Sequence, residues 1–163
     1  MQNFLDYAKN GVPMNTIVFR QPTHIYISNA SEFGLAGYNI TSGKAWRFKH
    51  PADCQLKSSL NSLEFLACTI TMWINALSNE IDDEACILSQ TDSTTAAGWL
   101  CKSNFAEVED KIMQMTTTCR LASLIINTKS CLYRQWFLGS DNTVADSLSR
   151  NFHIDSNTLS HLI

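Results

Sequence analysis

Three carboxylates and one amide stand where chemistry could be done: Glu64, Asp92, Asp146 and Asn29. Asn29 closes an alternating β-rich run from His24, in which Ile25 and Ile27 alternate with Tyr26 and Ser28, so its side chain sits at the end of a strand. Glu64 lies at the margin of an apolar helical face, Asp92 follows the apolar run Ala85 to Thr91, and Asp146 falls in a short segment after the turn Gly139-Ser140-Asp141. Carboxylates that converge on one site repel each other unless a cation lies between them, so convergence implies a divalent metal. A donor set made only of oxygens favours magnesium or manganese over zinc. Each acid also has a capping role open to it. Asn61 precedes Glu64 by three residues, Asp92 precedes Ser93-Thr94-Thr95, and Thr143 precedes Asp146 by three.

The elements that must position these groups follow from periodicity. Thr23 to Ala30, Phe33 to Thr41 and Lys44 to Lys49 read as three strands in an antiparallel meander, with Ser42-Gly43 suited to a two-residue hairpin turn. Leu63, Leu66, Ile70, Trp73 and Leu77 recur at three- and four-residue steps and predict a helix from about Ser59 to Ser78. Asn79 to Glu84 is a polar loop. A short buried strand over Ala85 to Thr91 leads into a helix from Ser93 to about Lys102. Val108, Ile112, Met115, Cys119, Ala122 and Ile126 predict a further helix from about Ala106 to Asn127, Cys131 to Leu138 a fifth strand, and Asn142 to Arg150 a last helix. A meander followed by β-α-β crossovers gives an α/β fold, a mixed five-stranded sheet with helices on its faces. Residues 1–22 read as an irregular lead-in, 23–150 as the domain, and 151–163 as a tail with enough apolar residues for one docking turn.

Composition narrows the partners. The 163 residues suit one domain, burying roughly 70% of the surface of the unfolded chain. The net charge of −3 argues against nucleic-acid binding through overall positive charge. It leaves a local patch, because Lys44, Arg47, Lys49, His50 and Lys57 share fourteen residues with a single acid, Asp53, and such a run can track phosphates or remain a solvated face. The six cysteines are spread singly with no C-x-x-C pair, which reads as buried thiols rather than a zinc site. No signal peptide opens the chain, and Leu63 to Leu77 is too short for a bilayer, so the expected setting is intracellular, in cytoplasm or nucleus, away from membranes. Trp46, beside the basic run, is suited either to the sheet face or to stacking on a base or sugar.

The motifs YISNAS-x-x-G-x-A-G, N-S-L-E-F-L-A, S-Q-T-D-S-T-T-A and W-F-x-G-x-x-N-x-x-A-D-S-L-S-R together resemble the ribonuclease H domain that follows the polymerase in retrotransposon-type reverse transcriptases. The resemblance spans about Thr23 to Arg150, and its last motif is the most specific. It implies the same element order and an Asp, Glu, Asp, Asp set holding two magnesium or manganese ions roughly 3.5 to 4 Å apart, for hydrolysis of RNA in an RNA–DNA hybrid. An upstream polymerase domain is the implied partner. Carried onto this chain, the set is Asn29, Glu64, Asp92 and Asp146; the basic run separately offers Lys44, Arg47 and Lys49 as the expected nucleic-acid contacts.

The chain departs from that pattern at Asn29, where the family has an aspartate that holds both metals. Asparagine offers one neutral carbonyl. A unit charge about 4 Å away is worth on the order of 4 kcal/mol per unit of metal charge at an effective dielectric near 20, before desolvation. A loss of about 3 kcal/mol slows a reaction roughly a hundredfold, so weak or absent hydrolysis is expected. The turn from Leu138 to Asn142 also lacks the histidine that some relatives place there. Two further readings stand beside the nuclease. One is an inactive module, a pseudoenzyme that retains the fold for structural or nucleic-acid-binding roles; the other is a different nuclease or a transposase of the same superfamily.

Overall fold

A computed structural model describes residues 20–51, 58–102, 105 and 110–155. Five strands, β1 (His24–Ala30), β2 (Gly34–Asn39), β3 (Lys44–Lys49), β4 (Cys86–Thr91) and β5 (Cys131–Trp136), form one sheet in the order β3-β2-β1-β4-β5. The meander pairs are antiparallel, while β1–β4 and β4–β5 are parallel, as the two crossovers require. The helices are α1 (Leu60–Leu77), α2 (Thr94–Trp99), α3 (Lys111–Thr128) and α4 (Thr143–Arg150), with a 3-10 turn over Gly139–Asp141. The expected mixed five-stranded α/β sheet is therefore present. Among the described residues no helix is long and apolar enough to cross a membrane.

Strand β1 sets two faces by its period of two. Tyr26, Ser28 and Ala30 turn toward α1: Tyr26 joins Phe65, Cys68, Met72 and Ile87 in the main core, the Ser28 hydroxyl donates to Cys68 Sγ at 3.1 Å, and Ala30 packs with Leu63 and Ala67. Asn29 turns the other way, toward α4. Strand β2 passes so close to α1 that a Cβ at Gly37 would lie 2.1 Å from Thr71 Oγ1, so no side chain fits there.

Several boundaries move for identifiable reasons. The β2–β3 connection is longer than the two-residue turn expected, because the buried Asn39 side-chain Oδ1 accepts the N–H groups of Thr41 (2.9 Å) and Ser42 (3.3 Å) and ends the strand early. Helix α2 ends at Trp99 rather than near Lys102. For α3, the expected start at Ala106 lies outside the described residues. Cys68, Cys86 and Cys131 are buried thiols as expected, whereas Cys101 and Cys119 are exposed, and Cys54 lies outside the described residues.

The largest correction concerns which side of α3 meets the core. Gln114, Thr117 and Leu121 are its buried positions, and the Gln114 amide donates to Ser62 Oγ at 2.9 Å. The apolar series Ile112, Met115, Cys119 and Ala122 faces outward, with Ile112 85% exposed. The C-terminal members of the α1 series behave alike: Trp73 is 40% and Leu77 73% exposed. Beyond α4, the Arg47 guanidinium donates to the carbonyls of Asn151 (3.2 Å) and Ile154 (2.7 Å) and lies over the Phe152 ring, which ties the start of the tail to β3.

Candidate active site

None of the three acids caps a helix. Ser59 caps α1, its hydroxyl accepting the Ser62 N–H; Ser93 caps α2, accepting the Ala96 N–H at 3.1 Å. Asn142 precedes α4 without a side-chain cap, and neither Thr143 nor Asp146 supplies one. Glu64, Asp92 and Asp146 are thus left for other work.

Glu64 projects from the second turn of α1 to the ends of β1 and β4. Its carboxylate accepts the Ala30 N–H at 2.8 Å and the Thr91 hydroxyl at 3.4 Å, and the residue is 5% exposed. Burial pushes its carboxyl up to about 8, and the negative charges of Asp92 and Asp146 push the same way, against the Ala30 and Thr91 hydrogen bonds. Both aspartates are therefore electrostatic neighbours of Glu64. Asp92 follows β4 directly and its carbonyl accepts from Trp136 Nε1 at 2.8 Å; a Cβ at Gly139 would lie 3.1 Å from Asp92 Oδ2, so the Gly139 turn closes against this carboxylate.

Asn29 stands among polar groups from α4 and is 3% exposed. Its Nδ2 donates to Ser149 Oγ at 2.9 Å and to Asp146 Oδ1 at 3.3 Å, while its carbonyl accepts from Asn142 Nδ2 at 3.2 Å. Asp146 Oδ1 also accepts from Arg150 Nε at 2.6 Å. Asn142, Ser149 and Arg150 were not singled out by sequence reasoning. Their signal lies in the last motif, where they sit at minus four, plus three and plus four from Asp146, positions that share one helix face with it.

The fit of a divalent metal pair can be tested on these atoms. A first-strand ligand would present an acceptor toward Asp146, and Asn29 presents a donor. The Asp146 oxygen that faces it already pairs with a guanidinium, and each Glu64 oxygen accepts one protein hydrogen bond. Among the described residues no group of three or more His, Cys, Asp or Glu side chains is placed to hold a metal ion. The four residues come together, and as arranged they do not fit two cations.

The expected nucleic-acid contacts are dispersed in role. Lys44 pairs with Glu80, Arg47 is committed to tail carbonyls, and Lys49 is exposed on the edge strand β3; Lys57 lies outside the described residues. Trp46 donates through Nε1 to Thr71 Oγ1 at 3.1 Å, so its ring is held against α1.

No family model matches the chain, and no curated protein does. Solved structures do. RNase H1 from the halophilic archaeon Halobacterium salinarum NRC-1 superposes with a TM-score of 0.58 at 11% identity, over 77% of this chain and 92% of that one. This is the ribonuclease H fold. The N-terminal RNase H domain of rv2228c from Mycobacterium tuberculosis, solved as a fusion with maltose-binding protein, agrees at a TM-score of 0.57 and 11% identity, over 86% of this chain and 99% of that one. At that identity the likeness establishes an RNase H-like architecture and leaves the chemistry to this chain's own residues.

Proposed function

We propose that the chain is the RNase H-like domain of a retrotransposon-type reverse transcriptase in which hydrolysis of RNA in RNA–DNA hybrids is weak or absent. One observation carries the loss: the Asn29 amide donates to Asp146 where the implied site needs a shared acceptor. In an intact site of this class two magnesium or manganese ions activate water and stabilise the leaving oxygen. Here Asn29, Ser149, Asn142 and Arg150 satisfy the Asp146 side of the site by hydrogen bonds within the protein. The reverse-transcriptase context and an upstream polymerase domain rest on the motif ending A-D-S-L-S-R, and RNA–DNA hybrid is the corresponding ligand. The same hydrogen bonds favour the pseudoenzyme reading over a fully active nuclease.

The test is cleavage of a labelled RNA–DNA hybrid by the wild-type chain and by Asn29→Asp, with magnesium or manganese. Cleavage by the variant at least about a hundredfold above wild type is the expected outcome. Equal cleavage by both would remove the case for impairment. Silence from both, with the fold intact by circular dichroism, would overturn the assignment of Glu64, Asp92 and Asp146.

A further inference from the structure

Cys86 opens β4 and Cys131 opens β5, and the two are partners in the parallel register of those strands. The next pair along, Ile87 and Leu132, packs in the main core with Phe65 and Met72 of α1. Side chains alternate faces along a strand, so Cys86 and Cys131 both project from the opposite face of the sheet. Cys68 of α1 lies on the other side, where it accepts from the Ser28 hydroxyl. Backbone hydrogen bonds hold the two strand starts together: the Cys131 N–H donates to the Ala85 carbonyl at 2.8 Å, and the Glu84 N–H to the Thr128 carbonyl at 2.9 Å.

That placement suits a disulfide. Neighbouring strands run about 4.8 Å apart, and disulfides join Cα atoms roughly 4.4 to 6.8 Å apart. In-register Cβ atoms on one face stand at about the strand spacing, wider than the ~3.8 Å the bond prefers, so closing it draws the strand starts together and leaves it easily reduced. Both residues carry reduced thiols and both are buried, Cys86 at 1% and Cys131 at 5% exposure. The Cys86 thiol donates to the Arg20 carbonyl at 3.5 Å. Burial pushes this thiol above its ordinary value; the Arg20 guanidinium opposes the shift, and the Cys131 thiol adds to it from close by.

We propose that Cys86 and Cys131 form a reversible redox pair, a dithiol that peroxide converts to a disulfide joining β4 to β5. Cys131 reacts first, because it begins an edge strand and is the more exposed of the two. Its thiolate attacks hydrogen peroxide: an S–O bond forms, the O–O bond breaks, and the departing hydroxide takes up the thiol's proton as water. The Cys86 thiolate then attacks the sulfur of that sulfenic acid, forming the S–S bond and releasing the hydroxyl group with the Cys86 proton as a second water. The cysteines lose two electrons in all, and these reduce the peroxide. The pair lies at the opposite end of β4 and β5 from Asp92 and Trp136, so it is independent of the candidate active site and of hydrolysis.

The test treats the full chain with hydrogen peroxide under native conditions, removes the oxidant, blocks the remaining thiols with N-ethylmaleimide in urea and maps the unreduced digest by mass spectrometry. The expected product is a pair of peptides joined through Cys86 and Cys131, lighter by two hydrogens, that dithiothreitol separates. When urea unfolds the chain before peroxide is added, the six cysteines scramble and the share of that link should fall roughly tenfold. Cys101→Ser with Cys119→Ser should leave the link in place, and Cys131→Ala should abolish it. Recovery of Cys86 and Cys131 as maleimide adducts, conversion of Cys131 to its sulfinic acid without a link, a link that forms equally in the unfolded chain, or links confined to other cysteines would overturn the proposal.

Discussion

The two ends of α1 obey opposite rules. Its N-terminal half buries Ser62 and Glu64 beside Leu63 and Phe65, whereas its C-terminal end exposes Trp73, Ile74 and Leu77. Burial of a carboxylate costs stability unless protein donors or a cation hold it, and exposure of a tryptophan and a leucine forgoes the gain of covering them. Core packing alone explains neither end. The first is shaped by the polar cluster where β1, β4 and α4 meet; the second flanks an open groove shared with α3. One helix therefore links a site that has closed on itself to a surface that has not.

The strongest way to break the first half of that contrast is to titrate it. An unfolded Glu64 loses its proton near 4.5, and the folded one holds it to about 8, so between those values the folded state binds more protons and stability falls as pH rises. Denaturant unfolding without divalent metal should show a loss approaching 1.4 kcal/mol per pH unit across that window, and Glu64→Gln should flatten it. Next in size, Asn29→Asp sets a second carboxylate against Asp146 in a buried cluster and should cost about 2–3 kcal/mol in EDTA. Manganese should restore that loss in the variant and leave wild-type unfolding nearly unchanged. Ser59→Ala removes the α1 cap and should cost about 1 kcal/mol at any pH, which separates helix stability from the titration of Glu64.

The smallest effect belongs to the other end. Leu77 is so exposed that Leu77→Ser should cost the fold itself no more than about 0.5 kcal/mol. A loss above about 1 kcal/mol would break the contrast, because it would mean that Leu77 packs as a core residue.

Local signals were read well because they act over a few residues. Strand β3 has the bounds that its flanking turns predict, and α1 lies one residue inside its expected range because Ser59 and Ser78 flank it. The faces of the helices were read less well. A series of Ile112, Met115, Cys119 and Ala122 looks like a core stripe, but α3 meets α1 through Gln114, whose amide is matched to Ser62, and through Thr117 and Leu121. Arg47 looks like a phosphate contact in the chain and is a clamp for the tail in space. The acids stand out in the sequence at the polar edges of apolar patterns; that Ser59 and Ser93 would take the caps from Asn61 and Asp92 was invisible, since cap geometry depends on where each helix actually starts.

Sequence alone determined the element order, the mixed sheet and the positions of Asn29, Glu64, Asp92 and Asp146 along it, because periodicity, turn residues and motif spacing are properties of neighbouring residues. Only the tertiary structure decided that the Asn29 amide points its donor at Asp146, that Asn142, Ser149 and Arg150 complete the network, and that α3 turns its apolar stripe outward. Those outcomes depend on contacts between residues distant in the chain, up to 120 positions apart for Asn29 and Ser149, where the partner rather than the local pattern chooses the orientation.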